Sequence, residues 1–584
     1  MIWAPGGLLE AAPLAIAAAC ALVATGWIAV RALFLRLGVT AGGAALAAAL
    51  ASLAFCADFA SRPFQDIRVG VVVGVVVWAT AFVAGKRGIG VDVDVGAVGL
   101  GLLLFLALAW VTVTTSLWDE TQGHAPLAFA AASGVLPAEH PSFPGIPFPY
   151  HMSFDVLAAV FVVVGVTPIG AALDMATLCT AVACLWCLFD VGKALAGRRA
   201  GLHAMMLGLL SHGPLALWGS SIFQLPVTPL HWFTDPGTAP PPPVSSFFQH
   251  PQGFAMSVAP SVLLLAAGER LGARVAGLVL LLLLAPVNVA AFALTFAGSA
   301  VLCLRRPHLP WFTAAHVVVG LLALLVSAFG AGSGAALEVG GFFGSLPRAL
   351  AGTLVFFPVF LLAGALVWQR RATMTPLAWG LAGASATGFM IGNLLHYQWS
   401  WDIVKFLSFS AYFAVVLVAG LGAGPEGFLS RVARVTLWAG VVVGALWLLR
   451  FGPLNGVAFP RYDDAPPPGF ARAAAPHLHP HLEPRDCVIT RASQLAKVGV
   501  RVGGLDIDRF SGFAVDRARA RKDFALWQRA VDGDNDATRA LGCRFLLPIG
   551  APSRQGSRHP APGSASVVVQ FDYLGETWTL YQFN

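Results

Sequence analysis

Long apolar runs recur through the first three quarters of the chain and constrain what it can fold into. Runs such as 14–34, 95–117 and 403–422 are long enough to cross a bilayer as helices, which rise about 1.5 Å per residue. Of the 584 residues, 57% are hydrophobic and 11% are charged, and the mean hydropathy is +0.75. This composition excludes a soluble globular protein. It predicts a polytopic α-helical membrane protein with about 12–14 transmembrane helices in residues 1–451.

The basic residues of the short loops predict how these helices are oriented. They occur in clusters: Lys86-Arg87, Lys193 with Arg198-Arg199, Arg270 with Arg274, Arg305-Arg306, Arg370-Arg371, and Arg431 with Arg434. Because basic loops are retained in the cytoplasm, we assign these clusters to that side. The long loops 118–152 and 219–254 then lie outside, and the run 275–304, broken near Pro286, must cross twice or re-enter. The net charge of +7 follows from these clusters, so no nucleic-acid partner is predicted.

Residues 452–584 differ in composition and are predicted to form a small extracytoplasmic α/β domain. A proline-rich stretch is followed by strand-like runs at 487–490, 498–502, 545–547, 567–571 and 578–583, with a helical stretch at 517–531. Cys487 and Cys543 are the only cysteines here and are expected to pair if the domain lies in an oxidising compartment. The run from His477 to His481 is interrupted by proline, which favours a solvated linker over a metal site.

The candidate chemistry lies where one apolar run ends, at Asp119 and Glu120. The loop behind them carries His124, is rich in glycine and proline, and ends in Tyr150-His151 before the next apolar run. A carboxylate at bilayer depth costs roughly 2.5–3.5 kcal/mol, and much less at the interface, where it can meet both water-borne and lipid-borne substrates. The same pair of carboxylates could equally do no more than mark a helix end.

The order of these residues resembles a known family. An apolar helix ends in Asp119-Glu120, Gly134 and Pro137 follow, then Pro147, Pro149 and Tyr150, and later Gly197-Arg198-Arg199-Ala200-Gly201. This order resembles the GT-C superfamily of membrane glycosyltransferases, in particular the branch of protein mannosyltransferases and aminoarabinose transferases. The sequence departs from it in having about three spans before the acidic loop, which indicates a divergent bacterial member.

The resemblance implies an inverting glycosyltransferase of the bacterial inner (cytoplasmic) membrane. Its donor would be a polyprenyl-phosphate sugar, used at the outer face with membrane lipid around it, and the acceptor stays open. Asp119 would be the base that activates the acceptor, or with Glu120 would help to bind a divalent metal such as Mg²⁺ or Mn²⁺. A carboxylate is a sufficient base when the acceptor loses its proton late in the reaction.

Other polar residues near the predicted outer surface are candidates for contact with the substrate or the lipid phosphate. They are His124, Tyr150, His151, Asp155, His250, Arg348, His396 and Lys405. Three of them, His124, His151 and Asp155, could join Asp119 around a metal or a phosphate. Lys405 lies one helical turn from Asp402 and could either meet a lipid phosphate or pair with that carboxylate.

Two other functions are compatible with the composition. A secondary transporter or flippase of a lipid-linked sugar would show inverted repeats and broken helices near the midplane. No repeat between the halves is visible, and charged residues are nearly absent from the apolar runs, which favours surface chemistry. An assembly protein without chemistry would explain the composition but not the order of the polar residues.

Overall fold

The computed structural model describes most of the chain in segments. They are residues 7–85, 94–114, 124–136, 152–213, 243–244, 247, 251–305, 309–328, 337–339, 352, 355–397, 400–422, 427–451, 470–483, 486–490, 492, 495, 498–503, 517–531, 534–548 and 565–583. Statements below concern these residues.

The first part of the chain is a bundle of apolar helices. They are α1 (Pro13–Arg36), α2 (Gly42–Phe59), α3 (Ile67–Ala84), α4 (Val95–Thr114), α5 (Ala125–Ala132), α6 (Ser153–Val164), α7 (Ile169–Ala196), α8 (Arg198–Leu210), α9 (Pro251–Ala266), α10 (Leu271–Leu284), α11 (Val289–Arg305), α12 (Pro310–Ala328), α13 (Val359–Arg370), α14 (Pro376–Leu394), α15 (Ser400–Gly422) and α16 (Phe428–Phe451). Within the described residues, seven helices are long and apolar enough to span a bilayer, and six shorter helices are also apolar. The polytopic helical fold predicted from the sequence is confirmed.

Helix α7 runs through the centre of the bundle and is buried along most of its 28 residues. It packs against α2, α6, α8, α9 and α15. Gly42 and Gly43 open α2 against Trp186 and the backbone of Cys187, where a β-carbon would collide. This close approach brings the Gly43 N–H to 2.8 Å from an Asp190 carboxylate oxygen.

The basic residues of the loops that the structure describes come together at one end of the bundle, which we call the basic end. Arg36 donates to the Ala84 carbonyl at 2.6 Å, so the α1 and α3 ends meet there. Arg270 lies against Gly38. The broken run forms a hairpin of α10 and α11. Arg270 directly precedes the hairpin and Arg305 is its last residue. The tip of the hairpin, residues 285–288, points into the bundle. The run folds back on itself as predicted, and its passage through the bilayer stays a prediction.

The C-terminal domain sits at the opposite end, which we call the domain end. Gly499 of the domain lies beside Phe129 of α5 and Ile169 at the start of α7. The structure therefore separates the basic loops from the C-terminal domain, as the sequence predicts. The side that faces the cytoplasm stays a prediction from the positive charges.

The C-terminal domain is built on a mixed five-stranded sheet. Its elements are α17 (Phe470–Leu478), β3 (Cys487–Ile489), β4 (Arg501–Gly503), α18 (Arg517–Val531), α19 (Asn535–Ala540), β5 (Phe545–Leu546), β6 (Ala565–Tyr573) and β7 (Glu576–Phe583). The strand order is β4-β3-β5-β7-β6, with β3 parallel to β4 and β5, and β7 antiparallel to β5 and β6. Strands β1 (Leu337–Val339) and β2 (Leu395–Tyr397) form a separate antiparallel pair.

Cys487 and Cys543 form a disulfide across this domain, with Cα atoms 4.7 Å apart. The predicted pairing is confirmed. The histidines of the run are exposed to solvent, as expected. The expectation that the run is a linker is wrong, because His477 lies in the last turn of a helix of the domain and its ring stacks on Phe571 with centroids 5.0 Å apart. His479 also contacts the domain, because its Nε2 lies 2.7 Å from the Val498 carbonyl.

Candidate functional site

A buried histidine–carboxylate pair lies where α5 and α6 begin. His124 precedes α5, and Asp155 stands in the first turn of α6. The His124 Nδ1 atom lies 2.8 Å from an Asp155 oxygen, and the two side chains are 4% and 0% exposed. The Phe154 ring meets the imidazole edge-on at 6.1 Å between centroids. The sequence suggested that these two residues could share a site, and the structure brings them into direct contact.

Local sequence accounts for the position of the pair. Pro126 stands in the first turn of α5, where its missing N–H costs no hydrogen bond. Asp155 is favoured near the positive N-terminal end of α6. The Ser153 N–H donates to the Pro286 carbonyl at 3.3 Å, which joins α6 to the tip of the α10–α11 hairpin. The pair therefore lies next to the hairpin tip, inside the bundle.

The pair has a defined chemistry. If Nδ1 carries the proton, it donates to Asp155 and Nε2 holds the lone pair. A carboxylate that orients a histidine in this way is the usual partner of a metal-binding or proton-accepting ring. The same arrangement could simply join α5 to α6, so the geometry alone does not assign a reaction.

A large cavity separates the C-terminal domain from the helix bundle. Its volume is about 1110 Å³, within or just above the range in which pockets bind small ligands. It is lined from the bundle by Leu9, Glu10, Phe129 and Ile169, and from the domain by His479 and Asp486. Its walls are therefore mainly apolar and include carboxylates. Helices α5 and α6 each contribute residues to these walls.

Asp486, on the domain side of the cavity, is held by Arg544. One carboxylate oxygen accepts from Arg544 at 2.5 Å and the other accepts the Glu483 N–H at 2.7 Å. The bond to Asp486 raises the pKa of the Arg544 guanidinium above its ordinary value. This ion pair fixes the domain side of the cavity beside the disulfide-linked strands.

Most of the other predicted site residues fall on parts of the chain outside the described residues: Asp119, Glu120, Tyr150, His151, His250 and Arg348. Their roles stay predictions. His396 lies in β2, in register with Glu338 of β1, and its side chain is not among those described. Lys405 lies in the first turns of α15 and is half-buried. Among the predicted residues that the structure describes, His124 and Asp155 are brought together.

The metal prediction is not supported by a ligand cluster within the described residues. No group of three or more His, Cys, Asp or Glu side chains there could hold a metal ion. His124 with Asp155 offers one oriented nitrogen, and a divalent metal would need oxygen ligands from Asp119 or Glu120 as well. The residues fit a metal only in combination with that loop.

A few charged residues lie within the apolar helices, inside the predicted apolar runs or directly after them. Arg31, Asp58, Asp174 and Asp190 are buried or nearly buried within these helices. Asp174 accepts the Leu8 N–H at 2.7 Å, as Asp190 accepts an N–H of α2. These two carboxylates satisfy backbone N–H groups at chain entries to the bundle. These buried carboxylates could have been found from the sequence, because each is an aspartate within or directly after an apolar run.

Comparisons with known proteins are limited to solved structures. No protein-family model and no curated protein matches the sequence. The oligosaccharyltransferase of Archaeoglobus fulgidus in its apo form matches 77% of this chain and 69% of its own, at 11% identity and a TM-score of 0.35.

Two further Archaeoglobus fulgidus oligosaccharyltransferase structures match at 9% identity and cover 69% of their own chains. One is in complex with an inhibitory peptide and a dolichol-phosphate and matches 78% of this chain, with a TM-score of 0.34. The other, tethered to an acceptor peptide with the NVT sequon, matches 77%, with a TM-score of 0.36. Values this low do not establish an activity, so function rests on the residues described above.

Proposed function

We propose that this chain is an inverting membrane glycosyltransferase that moves a sugar from a polyprenyl-phosphate donor to an acceptor at the domain end of the bundle. The observation that carries the proposal is the buried His124–Asp155 pair. Its histidine lies in the same loop as Asp119 and Glu120, shortly after them in the sequence. Burial of an imidazole costs free energy. Buried polar residues of this kind are often found at functional sites, where they take part in the chemistry.

In the proposed reaction, an acceptor hydroxyl oxygen bonds to the anomeric carbon of the sugar. The bond from that carbon to the phosphate oxygen breaks, and its electron pair leaves with the polyprenyl phosphate. Asp119 takes the hydroxyl proton as general base, with Glu120 beside it. His124, protonated on both ring nitrogens and oriented by Asp155, donates its Nε2–H to the phosphate as negative charge develops there.

A divalent metal, if bound, would be held by Asp119 or Glu120 with His124, and it would supply charge to the phosphate. The acceptor is proposed to enter through the cavity under the C-terminal domain, because this cavity reaches α5 and α6 from the water side.

The test is transfer by the purified protein in proteoliposomes that contain a panel of radiolabelled polyprenyl-phosphate sugars. We expect release of polyprenyl phosphate together with a labelled product, and its loss in Asp119→Asn. Asp66→Asn is the matched control, because Asp66 is a carboxylate that caps the start of α3, and asparagine also caps helices.

The same vesicles distinguish the alternative function. A flippase or secondary transporter would move the intact lipid-linked sugar across the bilayer without breaking the bond to phosphate. Movement of intact donor in the wild type, without any cleavage product for any donor in the panel, would contradict the proposal. The buried charges of α7 give that alternative no support, since Asp174 and Asp190 each accept a backbone N–H.

A further inference from the structure

A membrane-facing groove opens between α4 and α7 at the basic end. Every residue of α4 from 95 to 103 is exposed or half-buried, whereas Leu104, Leu108 and Val111 further along are buried. Helix α4 therefore packs tightly in its second half only. The space left beside its first half has a volume of about 360 Å³, within the range in which pockets hold ligands.

The walls of this groove are almost entirely apolar. They come from three helices and include Val98, Leu102 and Phe105 of α4, Leu185 and Trp186 of α7, and Met205 of α8. The floor is rigid at Trp186, whose ring packs on Trp27 with centroids 5.4 Å apart. Such walls suit a hydrocarbon chain and offer a polar ligand few partners.

The length of the groove corresponds to one leaflet. From Asp94 to Phe105 the helix rises about 16 Å, at ~1.5 Å per residue, and the hydrocarbon core of a bilayer is about 30 Å thick. A chain that starts at the basic end and stops near the midplane therefore fills it. The acyl chain of a phospholipid has this reach.

The mouth of the groove is basic. Asp94 lines it and accepts from Arg198 Nε and Nη2 at 2.5 and 2.9 Å. These bonds use two of the five guanidinium N–H groups, and the Arg198 side chain is 58% exposed.

The Lys193 ammonium lies 5.9 Å from the ring centre of Phe189, another wall residue. Asp190 also interacts with Lys193, and Arg199, next to Arg198 in the chain, is exposed. Among the described residues, three cations therefore stand against two carboxylates, which leaves the mouth positive.

We propose that this groove binds one acyl chain of an anionic phospholipid, whose phosphate is held at the mouth by Arg198 and Lys193. The occupant follows from charge complementarity together with the length of one leaflet. In the predicted orientation the basic end faces the cytoplasm, where anionic lipids attract basic residues near the membrane surface. The site lies at the opposite end from the proposed chemistry and does not depend on it.

The test is lipid binding to the purified, delipidated full-length protein, measured by native mass spectrometry and by thermal stabilisation. The probes are phosphatidylglycerol, phosphatidylcholine with the same acyl chains, and a polyprenyl phosphate. We expect saturable binding of phosphatidylglycerol at one site and weaker binding of phosphatidylcholine. Equal affinity for the two phospholipids would overturn the charge-based assignment.

A matched pair of variants locates the site. In Gly101→Phe the new ring enters the groove, because a β-carbon there lies 3.2 Å from the flexible end of Met205. In Gly99→Phe the ring points away, because a β-carbon there has no neighbour within 4 Å. We expect only Gly101→Phe to lose saturable phosphatidylglycerol binding. Equal binding by both variants would overturn the proposal.

The mouth is tested separately. Arg198→Gln and Lys193→Gln should each weaken phosphatidylglycerol binding about fivefold, the factor that corresponds to ~1 kcal/mol per basic residue near an anionic surface. Asp94→Asn should strengthen it, because it removes the negative charge from the mouth. Weaker binding by Asp94→Asn would contradict a phosphate at this position. Tighter, groove-dependent binding of the polyprenyl phosphate would assign the groove to an isoprenoid chain instead.

Discussion

The two ion pairs at opposite ends of the bundle differ in burial more than in geometry. His124 and Asp155 at the domain end are 2.8 Å apart, with side chains 4% and 0% exposed. Arg198 and Asp94 at the basic end are 2.5 Å apart, with side chains 58% and 17% exposed. The pair of Arg198 and Asp94 is screened by solvent and contributes little to the stability of the fold. Loss of one partner from the buried pair leaves a polar group without water, so burial, and not distance, decides which pair the fold depends on.

The largest effect is expected at the loop next to the buried pair. Asp119→Asn removes the proposed base and keeps the side-chain volume, so the transfer rate should fall about 10²–10⁴-fold. Thermal stability should stay close to that of the wild type, because a carboxylate predicted to lie at the membrane–water boundary contributes little to folding. Initial rates and melting temperatures of the purified variant measure both. Transfer at the wild-type rate would contradict the assignment of Asp119 as the base.

Breaking the buried pair should reduce stability as well as rate. Asp155→Ala leaves the His124 ring buried without its carboxylate, and removal of one partner of a buried pair costs about 3–5 kcal/mol. Asp155→Asn keeps an acceptor for Nδ1 and should recover most of the stability. The matched change at the basic end, Asp94→Ala, should leave the melting temperature nearly unchanged. Equal losses at the two ends would show that burial does not separate the two pairs.

The disulfide tests a third kind of link, a covalent one in the C-terminal domain. Cys487→Ser combined with Cys543→Ser should destabilise that domain by about 2–4 kcal/mol, the usual range for a disulfide. The pair closes a loop with a sequence separation of 56 residues. Limited proteolysis with and without a reducing agent reports the domain separately from the bundle. The expectation would be contradicted if the reducing agent did not change the proteolysis of the wild-type domain and if the double variant were cleaved at the same rate as the wild type.

The smallest effect is the pH dependence of the exposed pair. The bonds from Arg198, with a backbone N–H from Ala97, hold the pKa of the Asp94 carboxyl at about 2, below its ordinary value of 3.8. Because the folded-state value is the lower one, the contribution of the pair is complete above about pH 4 and is lost as the pH falls towards 2. Melting temperatures of the wild type and of Asp94→Asn should differ slightly at pH 6 and converge below pH 3. A constant difference over this range would contradict the assignment.

The secondary structure of the C-terminal domain was predictable because its signals are local. The helix 517–531 is found at the predicted bounds, and the strands at 487–489, 545–546 and 576–583 match the predicted runs within a few residues. The strand predicted at 498–502 is found at 501–503, because Gly499 adopts a positive φ and delays extended structure. The turn at Leu574-Gly575, both with positive φ, joins β6 to β7.

The candidate site was predictable as a list of residue types and not as an arrangement. His124 and Asp155 are 31 residues apart. The sequence suggested that they could share a site, and their direct contact is a finding of the structure. The groove depends on how far α4 diverges from α7. The Asp190 contact to α2 joins residues 147 apart and depends on two glycines that let the helices approach.

The sequence by itself determined that this chain is a multi-helix membrane protein with its basic loops on one side and an α/β domain at its C-terminus. Hydropathy, positive charge and strand propensity act over a few residues, so they can be read in order along the chain. Only the tertiary structure decided which carboxylate meets which partner and where cavities remain. Those outcomes depend on the packing of helices that are distant in sequence, and burial then sets how strongly each polar contact acts.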